Sequence, residues 1–197
     1  ILVNGKRRHI SALVNVNGTI GRGSSSVDLN TIPIAAIERV EVLRDGASAQ
    51  YGSDAIAGVV NLVLKGSGAG GSITANYGQY SEGDGQQWQL SGDAGFGFAG
   101  DAGSVHLAAQ TGHQDITNRA GAYQGTAPNT GNFPGVGETT FKIGDPEVDA
   151  TAISANASLK LGENANLYAT LMGSNRDINS FAFYRSKNHS GQGALLA

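Results

Sequence analysis

The chain has 197 residues, 30 of them glycine and none cysteine, with 15% charged residues and a formal net charge of -3. Without cysteine there is neither a disulfide scaffold nor a thiolate metal site, and the mild negative charge supplies no basic stripe for a nucleic-acid partner. No apolar run reaches the roughly 18 residues of a transmembrane helix, a test that membrane-crossing β-strands do not register.

Taken in order, Ile1 to Val3 reads as a strand running into a turn at Asn4-Gly5, a dipeptide suited to positive φ. His9 to Asn30 is small and polar and reads as long loops. Ile32-Pro33-Ile34-Ala35-Ala36-Ile37 predicts a short helix with proline in its first turn. Glu38 to Leu43 alternates charged and apolar residues, the pattern of a strand with one wet face, closed at Arg44-Asp45-Gly46. A helical turn is expected over Ala47 to Tyr51, stopped by Gly52. Gly58 to Lys65 is β-branched and apolar, a strand expected to be covered on both faces.

After Gly71 the period becomes two. Ile73, Ala75 and Tyr77 form one stripe; Trp88, Leu90, Ala94, Phe96 and Phe98 a second; Val105, Leu107 and Ala109 a third. Ile153 to Leu161 and Leu167 to Leu171 repeat the alternation, and a sixth strand is expected from Phe181. Most of these segments have the length a membrane-crossing strand needs. Tight turns at Ala99 to Gly103 and Gly162 to Ala165 alternate with a long connection from about His113 to Ala150. Outer-membrane barrels show this alternation of short periplasmic turns and longer external loops. Tyr77 and Tyr80, Trp88, and Phe96 with Phe98 cluster at strand ends, as aromatic girdles do. A soluble β-sandwich with an aromatic core is the competing reading, but its inward faces are usually bulkier than these Ala- and Gly-rich stripes.

The stretch from Ile32 to Leu62, with Ile37-Glu38-Arg39-Val40-Glu41-Val42-Leu43-Arg44 followed by Ala47-Ser48, Tyr51-Gly52 and Gly58-Val59-Val60-Asn61, resembles the plug of TonB-dependent outer-membrane receptors. Leu2-Val3-Asn4-Gly5 is similar to that family's opening strand and turn. Asp45-Gly46 stands where many members have Gly-Pro. The motif-level match covers about the first third of the chain, and the remainder agrees in strand pattern. The resemblance implies a small mixed α/β plug segment, residues 1-68, followed by antiparallel transmembrane β-barrel strands, residues 69-197, as part of a barrel of about 22 strands.

It also implies a location in the bacterial outer membrane and energised uptake of a scarce nutrient: an iron-siderophore complex, cobalamin, haem, a saccharide or a peptide. Partners would be TonB, through a segment ahead of the plug, and outer-membrane lipid. No enzyme chemistry and no cofactor are expected. By the same resemblance Arg39 and Arg44 would dock the plug on carboxylates of the barrel wall, with Glu38 and Glu41 as their local partners. Substrate contacts would fall on plug loops: Arg22 with Ser24 and Ser25, which suit an anionic or hydroxylated ligand, and Asp45-Gly46.

Three catalytic or metal readings fail on the residues. Gly66-Ser67-Gly68-Ala69-Gly70-Gly71 matches G-x-G-x-x-G, but a strand pattern follows it, so no helix N-terminus is present to hold a pyrophosphate; it reads better as the plug-to-barrel hinge. His9, His106, His113 and His189 are scattered, without metal-ligand spacing. Ser24 and Ser48 lack a nucleophile-elbow pattern. The alternative function is a soluble or surface-exposed β-rich binding or adhesion module, in which the Ile73 and Leu167/Leu171 stripes would pack against a second sheet. A chain that starts inside an apolar run and stops at Leu195-Leu196-Ala197 also reads as part of something longer.

Overall fold

The computed structural model describes residues 1-9, 27-44, 46, 48-53, 55-66, 68, 70-100, 102-121 and 143-180. The chain separates into two compact units. The first comprises Ile1–Asn76, Gln89–Thr111 and Ala150–Asn175, and the second Tyr77–Trp88, Gly112–Asp149 and Arg176–Ala197.

Four strands of the first unit form one sheet: β1 (Leu2–Val3), β2 (Lys6–Arg7), β3 (Ile37–Arg44) and β4 (Gly58–Leu64), in the order β2-β1-β4-β3. Asn4 and Gly5 have φ of 50° and 74°. Positive φ at both central residues gives the two-residue turn whose twist matches a hairpin, so Leu2 pairs Arg7 and Val3 pairs Lys6. β1 then runs parallel to β4, and β3 antiparallel to it, with a bulge between Ile37 and Arg39.

The position of β4 at the centre of this sheet explains its composition. Val59, Leu62 and Leu64 are buried, whereas edge strand β3 leaves Val40, Val42 and Leu43 exposed. The helix expected over Ile32 to Ile37 is only a 3-10 turn, Ile34–Ala36. Pro33 forces its predecessor out of the helical region, and Ile32 is extended at φ -110° and ψ 118°. At the other end Ile37 is already paired with Leu64 in the sheet. A second 3-10 turn, Leu29–Thr31, is capped by Asp28, whose carboxylate accepts from Asn30 N at 3.0 Å. Helix α1 spans Ser48–Tyr51, with Gly52 at φ 91° after it.

The remaining five strands form a second sheet in sequence order: β5 (Gly70–Gly78), β6 (Gln87–Phe98), β7 (Gly103–Gln114), β8 (Glu147–Leu161) and β9 (Ala165–Asn179). β6 and β7, and β8 and β9, are joined by turns of four and three residues, too short for a parallel crossover, so each of these pairs is antiparallel. The candidate sixth strand from Phe181 lies outside the described residues.

Within the first unit, alternation sorts the second sheet into two faces. Ala108 and Met172 join Val3, Ile32, Ala36, Leu62 and Leu64 in one apolar core, and Ser91, His106, Ala152 and Ser154 are buried. On the opposite face, Ile73 is 83% exposed and Leu171 71% exposed, with Leu107, Ile153 and Leu167 likewise open.

Candidate functional site

The sequence places a polar stripe on the face of β6, β7, β8 and β9 that meets the N-terminal sheet, and the described residues make that stripe the richest polar site of the first unit. It holds the N-terminal sheet at three places.

At the sheet's exit, Lys65 follows β4 directly. Its Nζ lies 3.1 Å from Oδ1 of Asp93 on β6. Asp93 is 3% exposed at its side chain and also accepts from Ser72 Oγ at 2.5 Å and pairs with His106 Nε2 at 2.8 Å. The Gly66 carbonyl accepts from Ser104 Oγ at 2.8 Å, and the Lys65 carbonyl from Asn156 Nδ2 at 3.0 Å. The outgoing chain lies so close to β6 that a Cβ on Gly95 would sit 2.0 Å from the Gly68 carbonyl oxygen. Only glycine leaves that space.

At the sheet's start, the Asn4 side chain donates to Asn156 Oδ1 at 3.3 Å and accepts from Leu64 N at 2.9 Å. Thr170 on β9 donates to the same Asn156 oxygen at 2.9 Å. Lys6 sits over the Tyr168 ring, 4.4 Å from its centroid, a cation–π distance. At the third place, the free N–H of Ile34, left over by the 3-10 turn, donates to Gln110 Oε1 at 3.0 Å.

The predicted docking residues lie on β3. Arg39 pairs with Glu38 at 3.0 Å and Glu41 at 2.8 Å, all three half-exposed. Asn61 donates to Glu41 at 2.8 Å. That amide, reinforced by Arg39, holds the Glu41 carboxyl below its usual range, and Glu41 in turn raises the Arg39 guanidinium. Arg44 ends the strand opposite Gly58. Of the predicted substrate contacts, Arg22, Ser24, Ser25 and Asp45 lie outside the described residues, and Gly46 follows β3 beside Ile56. From sequence alone, Lys65, Asp93 and Asn156 have no site role, and His106 is weighed only as a metal ligand. The available signal was a carboxylate, an imidazole and an amide on the wet stripes of β6, β7 and β8, facing a lysine at the end of an apolar strand.

Within the second unit a different cluster ties two connections. Arg119, just past β7, forks onto Asp84 between β5 and β6, with NH2 to Oδ1 at 2.7 Å and NH1 on Oδ2. Its guanidinium stacks 5.5 Å from the Tyr80 ring centroid, and Tyr80 donates to Asp145 at 2.7 Å. Thr117 N to Asp145 O and Arg119 N to Ile143 O extend the β7–β8 ladder past the strands. Among the described residues no group of His, Cys, Asp and Glu is placed to hold a metal ion.

The opposite face of the first unit carries a shallow trough of about 730 Å³, lined chiefly by Ile73, Leu107, Ala109, Ile153 and Leu171. It has almost no polar group to orient a polar nutrient, so it is a poor ligand site and a good hydrocarbon surface. The adhesion-module alternative expects Ile73 and Leu171 to be covered by a second sheet. Both are open, and that alternative is not favoured.

Residues 1-59 match the TonB-dependent Receptor Plug Domain family. Residues 1-59 are thus similar to the plug domain of TonB-dependent receptors. The whole plug-plus-strand arrangement is similar to solved structures of a ferric enterobactin receptor, PfeA. A mutant from Pseudomonas aeruginosa in complex with enterobactin matches at TM-score 0.64 and 22% identity, over 90% of this chain and 25% of that one. PfeA in complex with BCV-L6 matches at TM-score 0.64 and 23% identity, with the same coverage. At these identities the likeness is one of fold. The chain spans about a quarter of the length of these receptors. The relatives are receptors, and the mostly β architecture is similar to part of theirs.

Proposed function

We propose that the chain is the plug, residues 1-68, and the first wall strands, residues 69-197, of an outer-membrane receptor for energised uptake of a scarce nutrient, with an iron-siderophore complex the leading case. The small mixed α/β plug would close a transmembrane barrel of about 22 strands. Wall strands would contact lipid on one side and plug on the other, and TonB would act through a segment ahead of Ile1. The carrying observation is the split of faces in the first unit: Ile73, Leu107, Ile153 and Leu171 open on one side, and Asp93 and Asn156 bonded to the plug on the other. A soluble sheet has no reason to expose that stripe, whereas hydrocarbon solvates it.

Site roles follow from the same reading. Arg39 and Arg44, with Glu38 and Glu41 beside them, lie on the exposed edge of the plug sheet and would dock against further wall strands. Arg22, Ser24, Ser25, Asp45 and Gly46 belong to loops proposed to touch the nutrient. The siderophore preference is drawn from the likeness to a ferric enterobactin receptor.

The test uses the full receptor in intact outer membranes. A membrane-restricted photolabel is expected to react at Leu167→Cys and Leu171→Cys carrying a lipid-phase probe, and not at Asn156→Cys. Growth on ferric enterobactin under iron limitation should depend on the receptor and on TonB. Absence of label at both leucine positions would sink the membrane reading, and growth indifferent to the receptor would remove that siderophore.

A further inference from the structure

The exit of the plug is gripped by a carboxylate that does not depend on the plug for its solvation. Asp93 belongs to β6, and two of its three donors belong to the wall as well: Ser72 on β5 and His106 on β7. Lys65 supplies the third, from the plug side. The lysine side chain is 33% exposed while Asp93 is 3% exposed. Breaking a buried ion pair is costly chiefly because one charge is left buried without partners. Here that penalty is reduced on both sides. When Lys65 withdraws, Asp93 keeps a hydroxyl and an imidazole, and the ammonium is already part-hydrated.

Resting on the receptor reading above, we infer that Lys65, Asp93, His106 and Ser72 form a releasable latch. Lys65 holds the plug exit closed, while His106 is a positioning residue that keeps Asp93 bonded after the lysine leaves. The two wall-facing roles have opposite signatures. Removing Lys65 weakens the closed state alone and speeds opening. Removing the His106 donor removes support that persists into the open state, so Asp93 relies more on Lys65 and opening slows. A cluster that merely packs the interface would open faster in both cases.

The chain has no cysteine, so a thiol at the exit reports opening. Gly66 suits it: a Cβ there meets only Asn156 Nδ2, at 3.7 Å, an ordinary contact. The experiment measures reaction of Gly66→Cys with a water-soluble maleimide in the purified full receptor. Lys65→Met is expected to speed labelling about tenfold or more, the loss of one charge-assisted bond, and Lys65→Arg to stay near the parent rate. His106→Leu should slow labelling several-fold, and His106→Gln, which retains an N–H donor, should restore it. Faster labelling in His106→Leu, or an unchanged rate in Lys65→Met, overturns the latch. Heat-modifiable migration of each variant on gels confirms a folded barrel. Lipid-phase labelling at Leu171 is read separately, so failure of the receptor reading is distinguished from failure of the latch.

Discussion

Asn156 on β8 faces Asn4 in the first turn of the plug, accepting from its amide at 3.3 Å, and the same Asn156 side chain donates to the Lys65 carbonyl at 3.0 Å. One residue of the second sheet therefore joins the first turn of the N-terminal sheet to its exit, which Asn4 already brings together by accepting from Leu64 N. The parallel pairing of β1 with β4 makes this possible, because it sets the beginning of the N-terminal sheet beside its end.

Replacing that residue should loosen both ends at once. Asn156→Ala leaves the part-buried Lys65 carbonyl without its side-chain donor and the Asn4 amide with only its longer 3.5 Å contact to Thr170, a loss of about 1–3 kcal/mol. Asn156→Asp keeps an acceptor for Asn4 but sets a carboxylate against the Lys65 carbonyl, so it is expected to restore the first contact and not the second. The urea midpoint for plug release in the full receptor checks both, with the barrel transition as internal control. An Asn156→Ala midpoint equal to the parent's would show that this residue fastens nothing.

Gly95→Ala tests how closely the outgoing chain approaches the wall. The new methyl would meet the Gly68 carbonyl oxygen at 2.0 Å and His106 Nδ1 at 2.8 Å, so backbone must move. Forcing extra volume into such a contact costs about 1–3 kcal/mol, and the displaced segment includes the approach to Asp93. Expected results are an earlier plug transition and faster maleimide labelling at Gly66→Cys. Gly121→Ala, where a Cβ meets nothing within 4 Å, should leave both unchanged.

The Arg119 cluster predicts an acid-sensitive connection. Arg119 is the main cause that holds the Asp84 carboxyl below its usual range. A depressed carboxyl contributes stability that is fully present above its unfolded value, about 3.9, and is lost as pH falls through the lower folded value. Tyr80 runs the other way. Its hydrogen bond to Asp145 raises the phenol, so that contribution holds in neutral solution and disappears only as pH rises past the ordinary tyrosine range, about 10. Hydrogen-exchange protection of the Thr117 and Arg119 amides should therefore drop below about pH 4 in the parent. Asp84→Asn should show reduced protection already at neutral pH and little further acid loss. An acid loss of equal size in Asp84→Asn would assign the effect elsewhere.

Much of this architecture was legible from residue order because its signals are local. Asn4-Gly5 demanded its turn, Gly52 its stop, and the stripes of β5 to β9 their faces, since period two fixes which side chain shares a side with which. The helix at Ile32 to Ile37 was overestimated because proline's preference for a helical first turn competes with its effect on Ile32, and sheet pairing of Ile37 decided the outcome. β8 begins with Glu147, Asp149 and Thr151 on the face that Ile153 takes further on, so the apolar stripe changes character there, and β9 runs past its alternation into Asn175, Arg176 and Asp177, where polar residues occupy both faces. The plug fastening was illegible for another reason. Lys65 and Asp93 are separated by a whole strand and a connection, and nothing in either neighbourhood reveals that β6 returns its wet face to the end of β4.

Leu171 and Met172 turn that face assignment into a single comparison. They are adjacent on β9, yet Leu171 is 71% exposed on the proposed lipid side and Met172 packs on the plug core. Leu171→Arg sets a guanidinium toward hydrocarbon, at a cost of about 2–4 kcal/mol near the bilayer midplane. The expected defect is in assembly: less heat-modifiable barrel in the outer membrane, with no antibiotic leak from the fraction that does assemble. Met172→Arg instead drives a charge against the apolar cluster that includes Leu62 and Leu64. That barrel should assemble in normal amount and leak a large glycopeptide antibiotic, because its plug no longer seats. Should both substitutions give the same phenotype, the two sides of β9 are not lipid and plug, and the strand faces one environment.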